Sequence, residues 1–395
     1  MTSVDGIISS LRAIDAQSLA SDDDRHRVLE GLRSALRRIQ TPWDIAWDQA
    51  WVHDTTMAAI KTLIGAAVFT KWAETGSQLM TVPRLADLTG ADPLLLRRLL
   101  RQIAAEHLVT EIDEDTYAST PWSLRIGTDY AFSTIYEYYH DVFNPICMSL
   151  PLFLKKARYE NPTNLVGSNF QQVHGEQSFL FGSISSNQIA NLQFADTMSC
   201  QSKGIYTSWV ELYDTSQIIQ AARPDRPLVV NVCGGSGGQG HDIEKFLQKH
   251  PDIPKDRFIL QDKEEVLEKF TTHPGITACP YDLFTPQPVK GARIYYFYAV
   301  FHGWPDNNAV TILKYARDAM EPGYSKLLIH EVLVSAKQPP LTATTLDLTM
   351  MSLFSSSERS EEEWRRLISS VQGLQVARIW KARHAVDCII EIERV

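Results

Sequence analysis

The run LVVNVCGGSGGQGHD sets five glycines, Gly234, Gly235, Gly237, Gly238 and Gly240, directly after an apolar strand-like stretch and before a helical one. Glycines at that junction let a ligand approach the main chain closely, which suits a nucleotide-like group. Asp262 closes the next strand-like stretch, FILQD, about 20 positions beyond the last glycine. A carboxylate there accepts hydrogen bonds from both hydroxyls of a ribose, so glycines and acid together say more than the glycines alone. A second acid, Asp282, with Leu283 beside it in CPYDLFTPQPV, follows a third strand edge and suits adenine recognition. Gly235, Gly237 and Gly240 also satisfy the G-x-G-x-x-G fingerprint, which keeps an NAD-dependent dehydrogenase open as a rival, as is a tight strand-to-helix turn that holds no ligand. His241, Asp242 and His250 are rejected as a metal site, because no third ligand stands at a convincing spacing.

Such residues need a parallel sheet to position them, and the second half of the chain supplies the pattern. After Arg223-Pro224-Asp225-Arg226-Pro227, strands alternate with helices in the manner that builds right-handed crossovers. Strands are expected at 228–232, 257–260, 294–300, 325–334, 375–380 and 387–393, and helices at 242–249, 263–270, 307–320 and 361–370. The first half is mainly helical in period, as over 24–39 and 55–74. Within it, residues 82–118 read as helix, turn, helix and a short extended pair, the order of a winged helix. Arg97, Arg98 and Arg101 of that module read as a solvated helix face. The expectation is an α/β protein with a helical domain over 1–215 and a Rossmann-like domain over 216–395.

Charge narrows the partners. With 38 Lys and Arg against 47 Asp and Glu, the 395-residue chain carries −9 and offers no long-range attraction to nucleic acid or to an anionic membrane. The most apolar stretch, 57–72, is interrupted by Lys61 and Lys71, short of the ~20 apolar residues of a membrane span. No secretory signal pattern opens the sequence, and the cytoplasm is the expected compartment. Five cysteines without C-x-x-C spacing suit reduced packing residues better than disulfides or zinc.

The sequence resembles the plant caffeate-type and fungal small-molecule O-methyltransferases through NVCGGSGGQG, FILQD, the stretch from YDLFTPQPVKG to ILKYARDAM, LLIHEVLV and SSSERSEEEW, in that order over nearly the whole chain. The resemblance implies an N-terminal winged-helix-like dimerisation and lid domain and a C-terminal class I methyltransferase domain that binds S-adenosyl-L-methionine. It also implies a homodimer. Its general base corresponds to His302 in FHGWPD, and the two acids behind that base to Glu331 and Glu358. The acceptor pocket would be lined by Met350, Met351, Phe354 and Val232.

Two positions depart from the family pattern. Gly303 stands where the family has Asp beside the base, and Asn231-Val232-Cys233 replaces Asp-x-Gly at the end of the first strand. A branch of fungal methyltransferase-like proteins retains S-adenosyl-L-methionine unspent and directs dehydration or pericyclic steps, and this chain resembles that branch. On that reading His302, His140 in EYYHDVF and Lys337 in EVLVSAKQPP are donors that polarise a hydrophobic polyketide-derived substrate for an Alder-ene or hetero-Diels-Alder step. The alternative is an authentic O-methyltransferase with His302 as base.

Overall fold

The structure is a computed structural model that describes residues 3–175, 188–235, 240–268, 275–382 and 385–395. Contacts divide the chain into two compact units, Met1–Ser123 and Leu124–Val395. The change of texture read from sequence, near residue 215, falls inside the second unit.

In the first unit, helix Asp22–Ile39 has the extent expected from its periodicity. The stretch 55–74 forms two helices, His53–Gly65 and Val68–Glu74, because Ala67 takes a left-handed conformation with φ 55°. A non-glycine residue there costs on the order of 1 kcal/mol, so no propensity rule marks the break. Three short strands, β1 (Leu79–Thr81), β2 (Thr110–Asp113) and β3 (Thr116–Ala118), pair antiparallel in the order β1-β3-β2. Helices Val82–Thr89 and Pro93–Ala105 lie between β1 and β2 in the chain, completing the winged-helix arrangement. Leu85, Leu96, Leu100 and Ile103 are fully buried. Arg97 Nε donates to both carboxylate oxygens of Asp115, at 2.7 and 2.9 Å, so this arginine is spent on the β2–β3 turn.

In the second unit a seven-stranded sheet has the order β6-β5-β4-β7-β8-β10-β9. Its strands are β4 (Val229–Val232), β5 (Phe258–Asp262), β6 (Thr277–Pro280), β7 (Ile294–Tyr298), β8 (Lys326–Val332), β9 (Leu374–Trp380) and β10 (Asp387–Arg394). The first five are parallel, and β10 runs antiparallel to both β8 and β9. All five residues of β7 are buried, as a strand covered on both faces requires. Tyr295 and Phe297 pack toward helices Asp306–Ala319 and Glu361–Ser369, while Ile294, Tyr296 and Tyr298 face the other way, where Trp209 stacks on Phe246 and Tyr296. The direction of chain travel reverses between β4 and β7, and ligands of such sheets bind at the carboxyl ends of the strands beside that point. Among the described residues no helix is long and apolar enough to cross a membrane.

Candidate active site

The glycine loop leaves β4 through Cys233, which is left-handed with φ 59°. A Cβ on Gly234 would lie 2.5 Å from Asn231 Nδ2 and 2.7 Å from Leu260 Cδ1, so only glycine fits. Gly235 N–H donates to Asp262 Oδ2 at 3.1 Å, and Lys263 N–H to Asp262 Oδ1 at 2.8 Å. The acid at the end of β5 is thereby turned toward the glycine loop, with lone pairs left for a ribose. Burial raises the Asp262 carboxyl above its ordinary value, and these two amide bonds oppose that rise. Asn231 Oδ1 is buried with no hydrogen-bond partner among the described residues. A backbone cradle, an oriented carboxylate and an unsatisfied amide oxygen together fit a nucleoside-bearing cofactor. Gly237 and Gly238 lie outside the described residues. Asp282 is exposed and caps its own turn, accepting from Phe284 N–H at 2.9 Å, while Leu283 belongs to the core. Val232 is fully buried in the same core.

The base loop is held by main-chain groups. After β7, Ala299 turns left-handed (φ 50°) and Phe301–Gly303 makes a single 3-10 turn. Glu331 Oε1, near the end of β8, accepts the N–H groups of Val300, Phe301 and His302 at 2.9, 2.6 and 3.3 Å. From the other side Arg359, also buried, donates to the carbonyls of Phe301 and Trp304 at 2.9 and 2.7 Å and to Asp306. The loop is clamped between a carboxylate that takes its amides and a guanidinium that serves its carbonyls.

Within that clamp His302 Nδ1 lies 2.7 Å from Glu358 Oε1 and 3.7 Å from Glu331 Oε2. Glu358 orients the ring, whereas Glu331 acts on it through the backbone and through its charge. The backbone of Glu358 is itself fixed, its N–H donating to Asp347 Oδ1 at 3.0 Å. Burial alone would lower the imidazole, but the charges of Glu358 and Glu331 and the hydrogen bond to Glu358 overcome it and hold His302 at about 9. Burial raises Glu331, against the charge of His302. Glu331 Oε2 and Glu358 Oε2 are buried without hydrogen-bond partners among the described residues. The trio has the donor types of a cation site, but the 2.7 Å Nδ1–Oε1 contact is the geometry of a charge-assisted hydrogen bond from the imidazole N–H to the carboxylate.

Of the other expected site residues, Met350, Met351 and Phe354 ride on helix Leu341–Phe354, which lies against the Phe301–Gly303 turn, while His140 and Lys337 differ from His302 in exposure. His140 lies on a π-helical turn, its side chain 41% exposed and its Nδ1 3.0 Å from Asp141 Oδ1, whereas the His302 side chain is 15% exposed. Lys337 is exposed on a bend after β8. Both groups are more exposed than His302, so water screens them more strongly than it screens the imidazole of His302. Met350 and Phe354, on helix Leu341–Phe354, pack with Ile146, Phe170 and Leu353 in a separate apolar cluster, and Met351 is half-buried. Sequence reading missed Arg359, although it lies within SSSERSEEEW, and Asp347.

A mixed sheet of this order with a His–Glu centre beyond the carboxyl ends of its strands is the class I methyltransferase fold. Residues 155–375 match the O-methyltransferase domain family. The O-methyltransferase mfmE of Annulohypoxylon moriforme is 32% identical over 98% of this chain and 95% of that protein. The O-methyltransferase ATR12 of Stachybotrys chlorohalonatus is 31% identical over 99% of each. Two solved structures share the fold: LepI in complex with SAM, with TM-score 0.87 and 22% identity over 99% of this chain and 98% of that one, and OxaC in complex with sinefungin and meleagrin, with TM-score 0.84 and 23% identity over the same shares. The chain belongs to the O-methyltransferase family.

Proposed function

We propose that this protein binds S-adenosyl-L-methionine and methylates a phenolic or enolic hydroxyl of a hydrophobic small molecule of fungal secondary metabolism. The observation that carries this reading is the buried His302–Glu358 pair, with Nδ1 engaged and Nε2 left to exchange a proton. When bound, S-adenosyl-L-methionine supplies an electrophilic methyl group. Gly234, Gly235 and Asp262 would hold its nucleoside. His302 removes the hydroxyl proton at Nε2, and Glu358 stabilises the imidazolium that results. A base held at about 9 is close to the ~10 of a phenol, so the proton transfer is nearly balanced. The full-length relatives named O-methyltransferases support the same reading.

A second reading has one specific observation behind it. At neutral pH His302 is mostly an imidazolium, a donor rather than a base, and Gly303 brings no acid beside it. Those features favour a pericyclase that leaves the cofactor unspent and polarises a carbonyl or a departing hydroxyl; one neighbour in fold is described as a pericyclic reaction enzyme. In either case the reading includes a second copy of this chain as partner, a cytoplasmic setting, and no nucleic acid or membrane.

The test uses methyl-labelled S-adenosyl-L-methionine with phenolic and pyridone-like acceptors. Label in the product, with S-adenosylhomocysteine formed and both lost in His302→Asn, is the expected result. A product of unchanged or water-depleted mass, with the cofactor required but intact, would overturn it in favour of the pericyclase.

A further inference from the structure

Tyr206 lies in the turn between helices Gln188–Ile205 and Trp209–Leu212. Its ring packs on Tyr298, the last residue of β7, at 4.8 Å, and near His330 at 5.7 Å. The side chain also packs against the cluster of Val332, Ala343 and Leu346, of which Val332 adjoins Glu331 and Leu346 adjoins Asp347 in sequence. Its hydroxyl is buried and has no hydrogen-bond partner among the described residues. After burial, the charges of Glu358 and Glu331 are the next causes that keep its proton on, so the phenol stands within electrostatic reach of both acids. It is a donor with nothing to donate to, and the two acids each have an oxygen with nothing to accept. Buried groups of that kind are costly unless something satisfies them.

The turn is not loosely held. Thr207 N–H donates to Asp387 Oδ2 at 2.9 Å, that same oxygen lies 2.7 Å from His330 Nε2, and His330 Nδ1 meets Tyr296 OH at 2.8 Å. His330 and Asp387 are fully buried. A buried polar chain through three strands therefore fixes the backbone next to Tyr206, and the Tyr298 and His330 rings hold its side chain.

We propose that Tyr206 orients the acceptor by donating a hydrogen bond to a second oxygen of that molecule, beside the hydroxyl that His302 deprotonates. A hydroxyl serves best, since it accepts from Tyr206 and donates onward to the unpartnered oxygen of Glu331 or Glu358. The inference rests on the methyl-transfer reading for which hydroxyl reacts, but the recognition itself does not require turnover.

Tyr206→Phe removes the oxygen and keeps the ring. The probes are 2,3-dihydroxynaphthalene and 2-naphthol, titrated calorimetrically into protein saturated with S-adenosylhomocysteine. Wild type should bind the diol about tenfold more tightly than 2-naphthol, and Tyr206→Phe should lose that preference while binding 2-naphthol unchanged. With turnover, the loss falls on KM for the diol rather than on kcat. An undiminished preference in Tyr206→Phe, or a wild type without preference, including one that binds neither naphthol, overturns the proposal. Absence of label transfer with the binding preference intact would instead sink only the methyl-transfer reading.

Discussion

Exchanging Glu358 for glutamine should bring the inflection of His302 from well above neutral pH down toward it. The wild-type ring sits at about 9 because two carboxylates outweigh its burial. Glutamine retains an oxygen 2.7 Å from Nδ1 in the unrelaxed geometry, but not the charge. A hydrogen bond to a charged partner is worth ~1.5–3 kcal/mol, and 1.36 kcal/mol corresponds to one pH unit, so the inflection should fall by about 1 to 2 pH units. Titration of nitrogen-15-labelled histidine side chains by NMR reads this directly, with His302→Asn providing the assignment. A base must be neutral to act, so the wild-type methylation rate should climb with pH through about 9, while Glu358→Gln should level off earlier and at a lower ceiling. Stability moves the opposite way. The folded value lies above the ordinary 6.5, so the contribution is complete below about 6.5 and is lost as pH rises through about 9, roughly 3 kcal/mol at most, and Glu358→Gln should flatten that decline. A wild-type His302 that titrates near 6.5, or one indifferent to Glu358→Gln, would refute the reasoning.

The remaining expectations are more local. Gly234→Ala forces a Cβ against Asn231 and Leu260 and should cost about 1–3 kcal/mol of stability and abolish calorimetric binding of S-adenosylhomocysteine, whereas Gly235→Ala, whose nearest neighbour is at 3.1 Å, should weaken binding only partly. A Cβ at Gly303 meets open space, so Gly303→Ala should leave Tm nearly unchanged, whereas Gly303→Asp buries a carboxylate and should lower it; if the missing acid limits methylation, label transfer in Gly303→Asp should still rise about tenfold or more. Arg97→Ala releases Asp115 and should lower Tm by a few degrees without creating or removing salt-dependent DNA binding.

The sheet was legible in sequence because strands buried on both faces read as mostly apolar runs, IYYFY and, but for Asn231, VVNV among them, and the helices between them carry clear periods. The break at Ala67 was not, since a left-handed alanine is imposed by packing and leaves no glycine as a marker. Strand β1 is three residues long, too short for any alternation to register. The glycine loop and Asp262 are a local pattern and could be read as one. The base centre could not: His302 and Glu358 are 56 positions apart, and only resemblance to a family joins them. Tyr206 stayed hidden for a further reason. Nothing in GIYTSW distinguishes a phenol with a hydrogen-bond partner from one without.

The clamp around His302 has a consequence for what this loop can become. Its position is set by three amide hydrogens on Glu331 and two carbonyl oxygens on Arg359, atoms that every residue type except proline contributes alike. Phe301 and Trp304 still pack into the core, but Gly303 adds no side chain to the clamp, and a Cβ there meets open space, so position 303 is the one place in the turn where the surroundings of the imidazole can change without breaking the clamp. A catalytic group mounted in this way separates where the chemistry happens from which chemistry it is, so that one scaffold can exchange reactions by changing the furniture around a fixed proton carrier.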